Sequence, residues 1–266
     1  MSYYPLLRAP GMKGFVTLCN FSPNNWESHA CKEQIIHVTW AKDGLWFSKS
    51  LGSLEPEKFL TICSDDIESI VPDDSIVLFS LAHAPLPLAS PFLPELDSCC
   101  ATFPMWRATL GLSSGSYEQT SYQGEIDPFP PNGTLLTFGP FMQFGRDINN
   151  YLILLNIESS PVIRLAELEI YDSAEMKFKG RFSVRNNAVT SISLNELGFK
   201  EDDLPLFICR EMAFIPLYFS KTLNGAYLSL EHTHPPASLV VHGKRWEAQK
   251  FLKRRWFERA SQLDSL

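Results

Sequence analysis

The residues best suited to chemistry lie near the C-terminal end, where three of the six histidines fall within eleven residues. His232 and His234 flank Thr233, so on a β-strand both imidazoles project from one face, about 6 to 7 Å apart. Two imidazoles at that separation can share a zinc or iron ion, with His242 or Glu231 as the third ligand. The alternative is that these histidines only hydrogen-bond at a domain or subunit contact, because His-x-His is a short motif.

A second set of candidate residues lies in residues 105–133, a connector rich in serine, glycine, proline and tyrosine that is too long for an ordinary loop. Its aromatic side chains alternate with amides and carboxylates, which suits binding of a small molecule, a glycan or a partner protein. The predicted ligand-binding residues are Tyr117, Tyr122, Gln123, Glu125 and Phe129. Two alternatives stay open. The aromatics cover the seam between two halves of the protein, or Glu125 and Asp127 form the acid/base pair of a glycosidase.

The C-terminal segment, residues 243–266, has the pattern of an amphipathic α-helix. Its apolar residues Leu252, Trp256, Ala260 and Leu263 recur at helical spacing. The segment is also basic, whereas the whole chain carries a formal net charge of −7. Because opposite charges attract, we expect the helix to pack on the acidic body of the protein or on that of a neighbouring subunit.

Composition excludes several classes of protein. With 45% hydrophobic and 20% charged residues, the chain of 266 residues can bury a core, and its acidic balance argues against nucleic acid as a ligand. Residues 75–94 form an uncharged run of membrane-spanning length, but four prolines indicate a strand followed by a loop, so no membrane span is expected. Residues 1–14 lack the pattern of a signal peptide, which predicts a cytoplasmic protein with reduced cysteines.

An internal repeat organises the chain. Residues 15–21 match residues 151–157, and each apolar run reaches an asparagine, Asn20 or Asn156. Further along, a constant offset pairs Trp40 with Tyr171 and three further sets of residues. These are Phe79-Ser80 with Arg210-Glu211, Pro85 with Pro216, and Thr102-Phe103-Pro104 with Thr233-His234-Pro235. Short β-branched runs divided by turn residues then predict an all-β fold, a tandem duplicated β-sandwich with an aromatic connector and a C-terminal helix.

The pattern within the second copy resembles a known family. An apolar strand ending in asparagine is followed by ELEIYD, then SISLNELG, then an apolar strand with Pro216. Over residues 151–235 this order resembles the small β-sandwich domains of the sensory rhodopsin transducer type. The resemblance implies a non-enzymatic, oligomer-forming sandwich that binds a small ligand or a partner protein. The predicted organisation is a first repeat at 1–104, the connector at 105–133, a second repeat at 134–242 and the helix at 243–266.

We therefore expect a binding or assembly protein without a cofactor, acting through the connector and the rim near His232 and His234. The alternative is a metal-dependent enzyme in which zinc or iron is held by these histidines and by His242 or Glu231. A structural homo-oligomer is the third possibility. Common hydrolase and nucleotide-binding signatures are absent from the sequence. Arg210 is predicted to lie on a buried strand, where its charge needs a partner.

Overall fold

The computed structural model has an all-β fold with a C-terminal helix, as predicted. It describes residues 3–20, 32–72, 75–96, 108–115, 118–139, 144–145, 147–200, 202–232 and 245–263, of which 245–249 and 263 are described by their backbone alone. By compactness the chain divides into a first unit (Met1–Phe129, Leu155–Arg164 and Arg185–Ser191) and a second unit (Pro130–Leu154, Leu165–Val184 and Ile192–Leu266).

The first copy of the repeat contributes two antiparallel sheets. Its strands are β1 (Tyr4–Pro5), β2 (Lys13–Asn20), β3 (Gln34–Lys42), β4 (Leu45–Leu54), β5 (Lys58–Cys63), β6 (Val77–Ala82), β7 (Ala89–Ser90), β8 (Thr109–Ser113) and β9 (Gln119–Gln123). One sheet has the order β1-β6-β3-β4-β7 and the other the order β5-β2-β8-β9. Both sheets contain fully buried side chains, among them Val38 and Phe79 in the first and Val16 and Leu110 in the second.

The second copy has the same strand order. Its strands are β10 (Leu135–Phe138), β11 (Ile148–Asn156), β12 (Leu165–Asp172), β13 (Lys177–Arg185), β14 (Ala188–Ser193), β15 (Pro205–Cys209), β16 (Ile215–Thr222) and β17 (Leu228–His232), followed by helix α1 (Arg245–Leu263). The sheets run β10-β15-β12-β13 and β14-β11-β16-β17, which reproduces β1-β6-β3-β4 and β5-β2-β8-β9. Short 3₁₀ turns follow β5 and β14 at Ser64–Ile67 and Asn195–Leu197. A shared topology is what a duplication predicts.

The core of the second copy lies between its two sheets. Leu168 and Phe207 from one sheet pack with Leu152, Ile192 and Tyr218 from the other in a single buried cluster. The rings of Phe207 and Tyr218 lie 5.9 Å apart between centroids. This copy is therefore a β-sandwich.

The structure corrects the predicted connector. Residues 109–113 and 119–123 form β8 and β9, and β8 pairs with β2 from Lys13↔Ser113 to Thr17↔Thr109. The first copy thus extends beyond residue 104. Its counterpart of β16 is β8, so Pro85, in the loop after β6, does not correspond to Pro216 within β16. The offset fails because the first copy has β7 and additional residues between β6 and β8.

The glycine in β8 explains why this segment resembles a loop in sequence. Gly111 lies opposite Phe15 on β2, and a Cβ atom at Gly111 would come within 2.2 Å of the Phe15 ring. The phenyl ring therefore covers the backbone of β8 at Gly111. The glycine is required by close packing across the sheet.

The asparagines that end β2 and β11 hold neighbouring backbone segments. Asn20 is buried, and its Nδ2 donates to the carbonyls of Lys32 and Leu54 at 3.0 and 2.8 Å. Asn156 is also buried, and its Oδ1 accepts a hydrogen bond from the Asn187 amide at 3.2 Å. The paired asparagines of the repeat are thus structural residues that satisfy backbone groups where strands end.

A network of buried polar side chains extends from Asn156 within the first unit. Asn186 has no exposed surface; its Nδ2 donates to Glu158 Oε2 and the Val162 carbonyl, and its Oδ1 accepts from the Arg164 amide at 2.8 Å. Asn187 donates to the Ser160 carbonyl and accepts from the Glu158 amide. These contacts hold the loop that follows β11.

Substitution Asn186→Ala is expected to lower the free energy of unfolding by about 2–4 kcal/mol, because three hydrogen bonds are lost and buried partners stay unsatisfied. Urea unfolding followed by tryptophan fluorescence measures the change. Asn224→Ala is the matched control, since Asn224 is exposed and its Oδ1 accepts a hydrogen bond from the Ala226 amide within one turn; its expected effect is below about 0.5 kcal/mol. Equal effects of both substitutions would contradict the structural role of Asn186.

Candidate functional site

The predicted metal ligands lie at the end of β17. Glu231 and His232 are its last two residues, and because neighbouring residues of a strand face opposite sides, their side chains diverge. His234 and His242 lie outside the described residues. Within the described ranges, no group of three histidine, cysteine or acidic residues is placed to hold a metal ion. The zinc or iron site stays a prediction.

The predicted binding residues of the connector differ in exposure. Gln123 is exposed at the end of β9, whereas Tyr122 packs its ring against Gly124, and burial raises the pKa of its hydroxyl. Glu125 is half-buried beside the bridge that Ile126 forms with Tyr3. Phe129 is also half-buried and is held by a 2.8 Å hydrogen bond from its amide to the Ile157 carbonyl. Tyr117 lies outside the described residues.

A groove of about 740 Å³ opens in the first unit beside this segment. We call it the Phe92 groove; its lining includes Tyr3, Pro87, Phe92, Glu95, Pro128 and Ser159. Phe92 is 62% exposed, and Glu95 is exposed beside it. The groove therefore presents an aromatic ring and a carboxylate to solvent.

Hydrogen bonds to the interior of the unit hold the wall of the Phe92 groove. The Ser159 carbonyl accepts hydrogen bonds from the Leu93 amide at 2.8 Å and from Trp46 Nε1 at 2.9 Å, and Trp46 is fully buried. The Tyr3 hydroxyl donates to the Pro94 carbonyl. Because prolines also restrict this segment, the groove has a preformed shape.

Helix α1 packs on the second unit, as the apolar stripe predicts. Ala260 is fully buried against a cluster that contains Tyr171 and Ile208, and Trp256 makes an edge contact with Phe138 at 5.1 Å between ring centroids. Leu252 is half-buried. The helix therefore lies on its own chain, which was one of the two predicted arrangements.

The second unit has a separate groove along α1, with a volume of about 610 Å³. We call it the Lys253 groove; it is lined by Thr134, Arg210, Lys250, Lys253, Arg254, Phe257, Glu258, Ser261 and Gln262. Lys253 Nζ donates to the carbonyl and to the Oγ1 of Thr134 at 2.7 and 2.8 Å. Burial lowers the pKa of this ammonium. The groove is rich in cations.

Arg210 joins the helix to the sheet. It follows β15, which ends at Cys209, so it does not lie on a buried strand as predicted. Its guanidinium donates to Glu169 Oε2 at 3.2 Å and to the Phe257 carbonyl at 3.4 Å, and it lies 4.9 Å from the centre of the Phe257 ring. The expected partner for the charge is thus Glu169.

Comparisons with known proteins do not assign the chain to a family. No protein-family model matches the sequence, and no curated protein matches it significantly. No helix in the described part of the chain combines the length and apolar character needed to cross a bilayer.

Sequence reasoning missed both grooves. The sequence predicts only a loop from Pro85 to Pro94, and the prolines and Phe92 are the signal for a groove there. The sequence predicts a basic C-terminal helix, but Thr134 and Arg210, which complete the Lys253 groove, lie far from it in sequence.

Arg210→Ala is expected to lower the free energy of unfolding by about 1–3 kcal/mol, because the largely buried Glu169 carboxylate loses a charged partner while the arginine itself is partly solvated. Arg254→Ala, on the exposed side of α1, is the control and should change stability by less than about 0.5 kcal/mol. Thermal unfolding of both variants measures the difference. An unchanged melting temperature for Arg210→Ala would contradict its bridging role.

Proposed function

We propose that this protein is a non-enzymatic binding protein that recognises a glycan in the Phe92 groove. The observation that supports the proposal is the exposed Phe92 ring beside the Glu95 carboxylate in a preformed groove. An aromatic ring stacks on the apolar face of a sugar, and a carboxylate accepts hydrogen bonds from its hydroxyl groups. Pro128, from the predicted connector, also lines this groove.

The composition of the groove favours binding over catalysis. Glycosidases commonly place two carboxyl groups about 5 to 10 Å apart across the bond that they cleave. Among the described residues that line the Phe92 groove, Glu95 is the one carboxylate. It makes no ion pair within the described ranges, so it is available to accept hydrogen bonds from a ligand.

The proposal differs from the sequence prediction in where the ligand binds. Tyr122 and Glu125 are partly covered, so the proposed contact moves from the connector to the neighbouring segment around Phe92. The rim near His232 has no part in the proposal. The described cysteines, Cys19, Cys63 and Cys209, are free thiols, which supports a cytoplasmic location as part of the same proposal.

Binding to an array of neutral oligosaccharides tests the proposal, with affinities of the positive glycans measured by titration calorimetry. The double substitution Phe92→Ala and Glu95→Gln should weaken binding by about tenfold or more, equivalent to about 1.4 kcal/mol. The matched control is Phe59→Ala with Glu55→Gln, because Phe59 is 67% exposed and Glu55 is exposed in the same unit, outside the groove.

The control pair should retain affinity within about twofold, with both proteins unchanged in melting temperature. Absence of glycan binding by the unsubstituted protein would overturn the proposal. Equal weakening by the two pairs would also overturn it, because the loss would then not depend on the Phe92 groove.

A further inference from the structure

We propose that the Lys253 groove of the second unit is a binding site for a phosphate group. The inference does not depend on the proposed glycan site, which lies on other residues of the first unit. It rests on the surroundings of Lys253, on the grouping of cations around the cavity and on the apolar ring beside them.

Lys253 is a half-buried ammonium without a carboxylate partner in the described part of the chain. Both of its hydrogen bonds go to Thr134, a neutral residue, and use two of its three N–H groups. Burial of a charge is unfavourable unless an opposite charge or several hydrogen bonds compensate it. An anion bound in the groove would provide that compensation, and the third N–H group is available to donate to it.

Two further cations lie on the same face of the helix. Lys253 and Arg254 follow Lys250 by three and four residues, so each is a neighbour of Lys250 on the helix surface, and all three line the groove. Neither Lys250 nor Arg254 forms an ion pair within the described ranges. Three cations therefore line the cavity without an ion-pair partner among the described residues, and the acidic residue in the same lining is Glu258, one turn after Arg254.

The number of cations favours phosphate over a single carboxylate. A phosphate ester carries about −1.5 to −2 charges at neutral pH and three acceptor oxygens, which match several donors at once. Arginine and lysine are the side chains that most often provide such donors. One carboxylate would balance only one of these three positive charges.

The rest of the groove limits the kind of ligand. The Phe257 ring lies beside the cations and is held by Arg210, whose own charge is already paired with Glu169. A volume of about 610 Å³ is within the range of small-molecule sites. A phospholipid headgroup is the second possible source of the phosphate group. The reason is Phe251 on the same helix, which is 58% exposed, as is typical of an aromatic residue that contacts a membrane surface.

Titration calorimetry of the full chain with pyrophosphate tests for a soluble ligand, and co-sedimentation with phosphatidylcholine vesicles, with and without phosphatidylglycerol, tests for a lipid headgroup. The substituted protein carries Lys250→Gln and Arg254→Gln. The matched control carries Arg255→Gln and Arg259→Gln, which removes the same charge from the same helix outside the groove.

The groove variant should lose affinity about tenfold or more, whereas the control should remain within about twofold, with melting temperatures of the free proteins unchanged. Lys253→Gln provides a third variant with the same expected loss. Pyrophosphate binding that depends on the groove identifies a soluble phosphate ligand, and vesicle binding alone that depends on it identifies a headgroup. Binding of neither probe, or equal losses in both double variants, would overturn the proposal.

Discussion

The buried amide network after β11 is the interaction on which the first unit depends. Asn156, Glu158, Asn186 and Asn187 exchange hydrogen bonds almost without exposure to solvent, and together they fix the loop that contains Ser159. The Ser159 carbonyl in turn holds Trp46 Nε1 and the Leu93 amide. Polar contacts in the interior of the unit therefore hold the wall of the Phe92 groove at Leu93.

A charged contact has the corresponding role in the second unit. Arg210 links Glu169 on β12 to the backbone and the ring of Phe257 on α1. Trp256 and Ala260 add apolar contacts to the sheet beside it. Because these contacts hold the helix on the sheet, Lys253 reaches Thr134. Lys250 and Arg254 then line the same groove. Local packing thus converts a basic amphipathic helix into one wall of a groove.

The sequence was most informative where the relevant signal was local. The run that ends at Asn156 and the stripe containing Trp256 and Ala260 predicted a strand and a helix that the structure contains. It failed at β8, because Gly111 resembles a loop residue until Phe15 from another strand covers it. It also failed for the Lys253 groove, because Thr134 lies 119 residues from its lysine partner. Contacts between residues so far apart produce no periodic pattern from which the sequence could predict them.

Strand β7 distinguishes the two copies, because it is added to the edge of a sheet whose other strands have the same order in both. It pairs with Trp46 and Phe47 on β4, and the segment that follows it forms the wall of the Phe92 groove. The second copy has instead a helix after its last strand, and that helix forms the other groove. Each groove is thus built from an addition that is absent from the described residues of the other copy. Selection can alter one groove without any matching substitution in the other, so one duplicated scaffold can acquire two unrelated specificities.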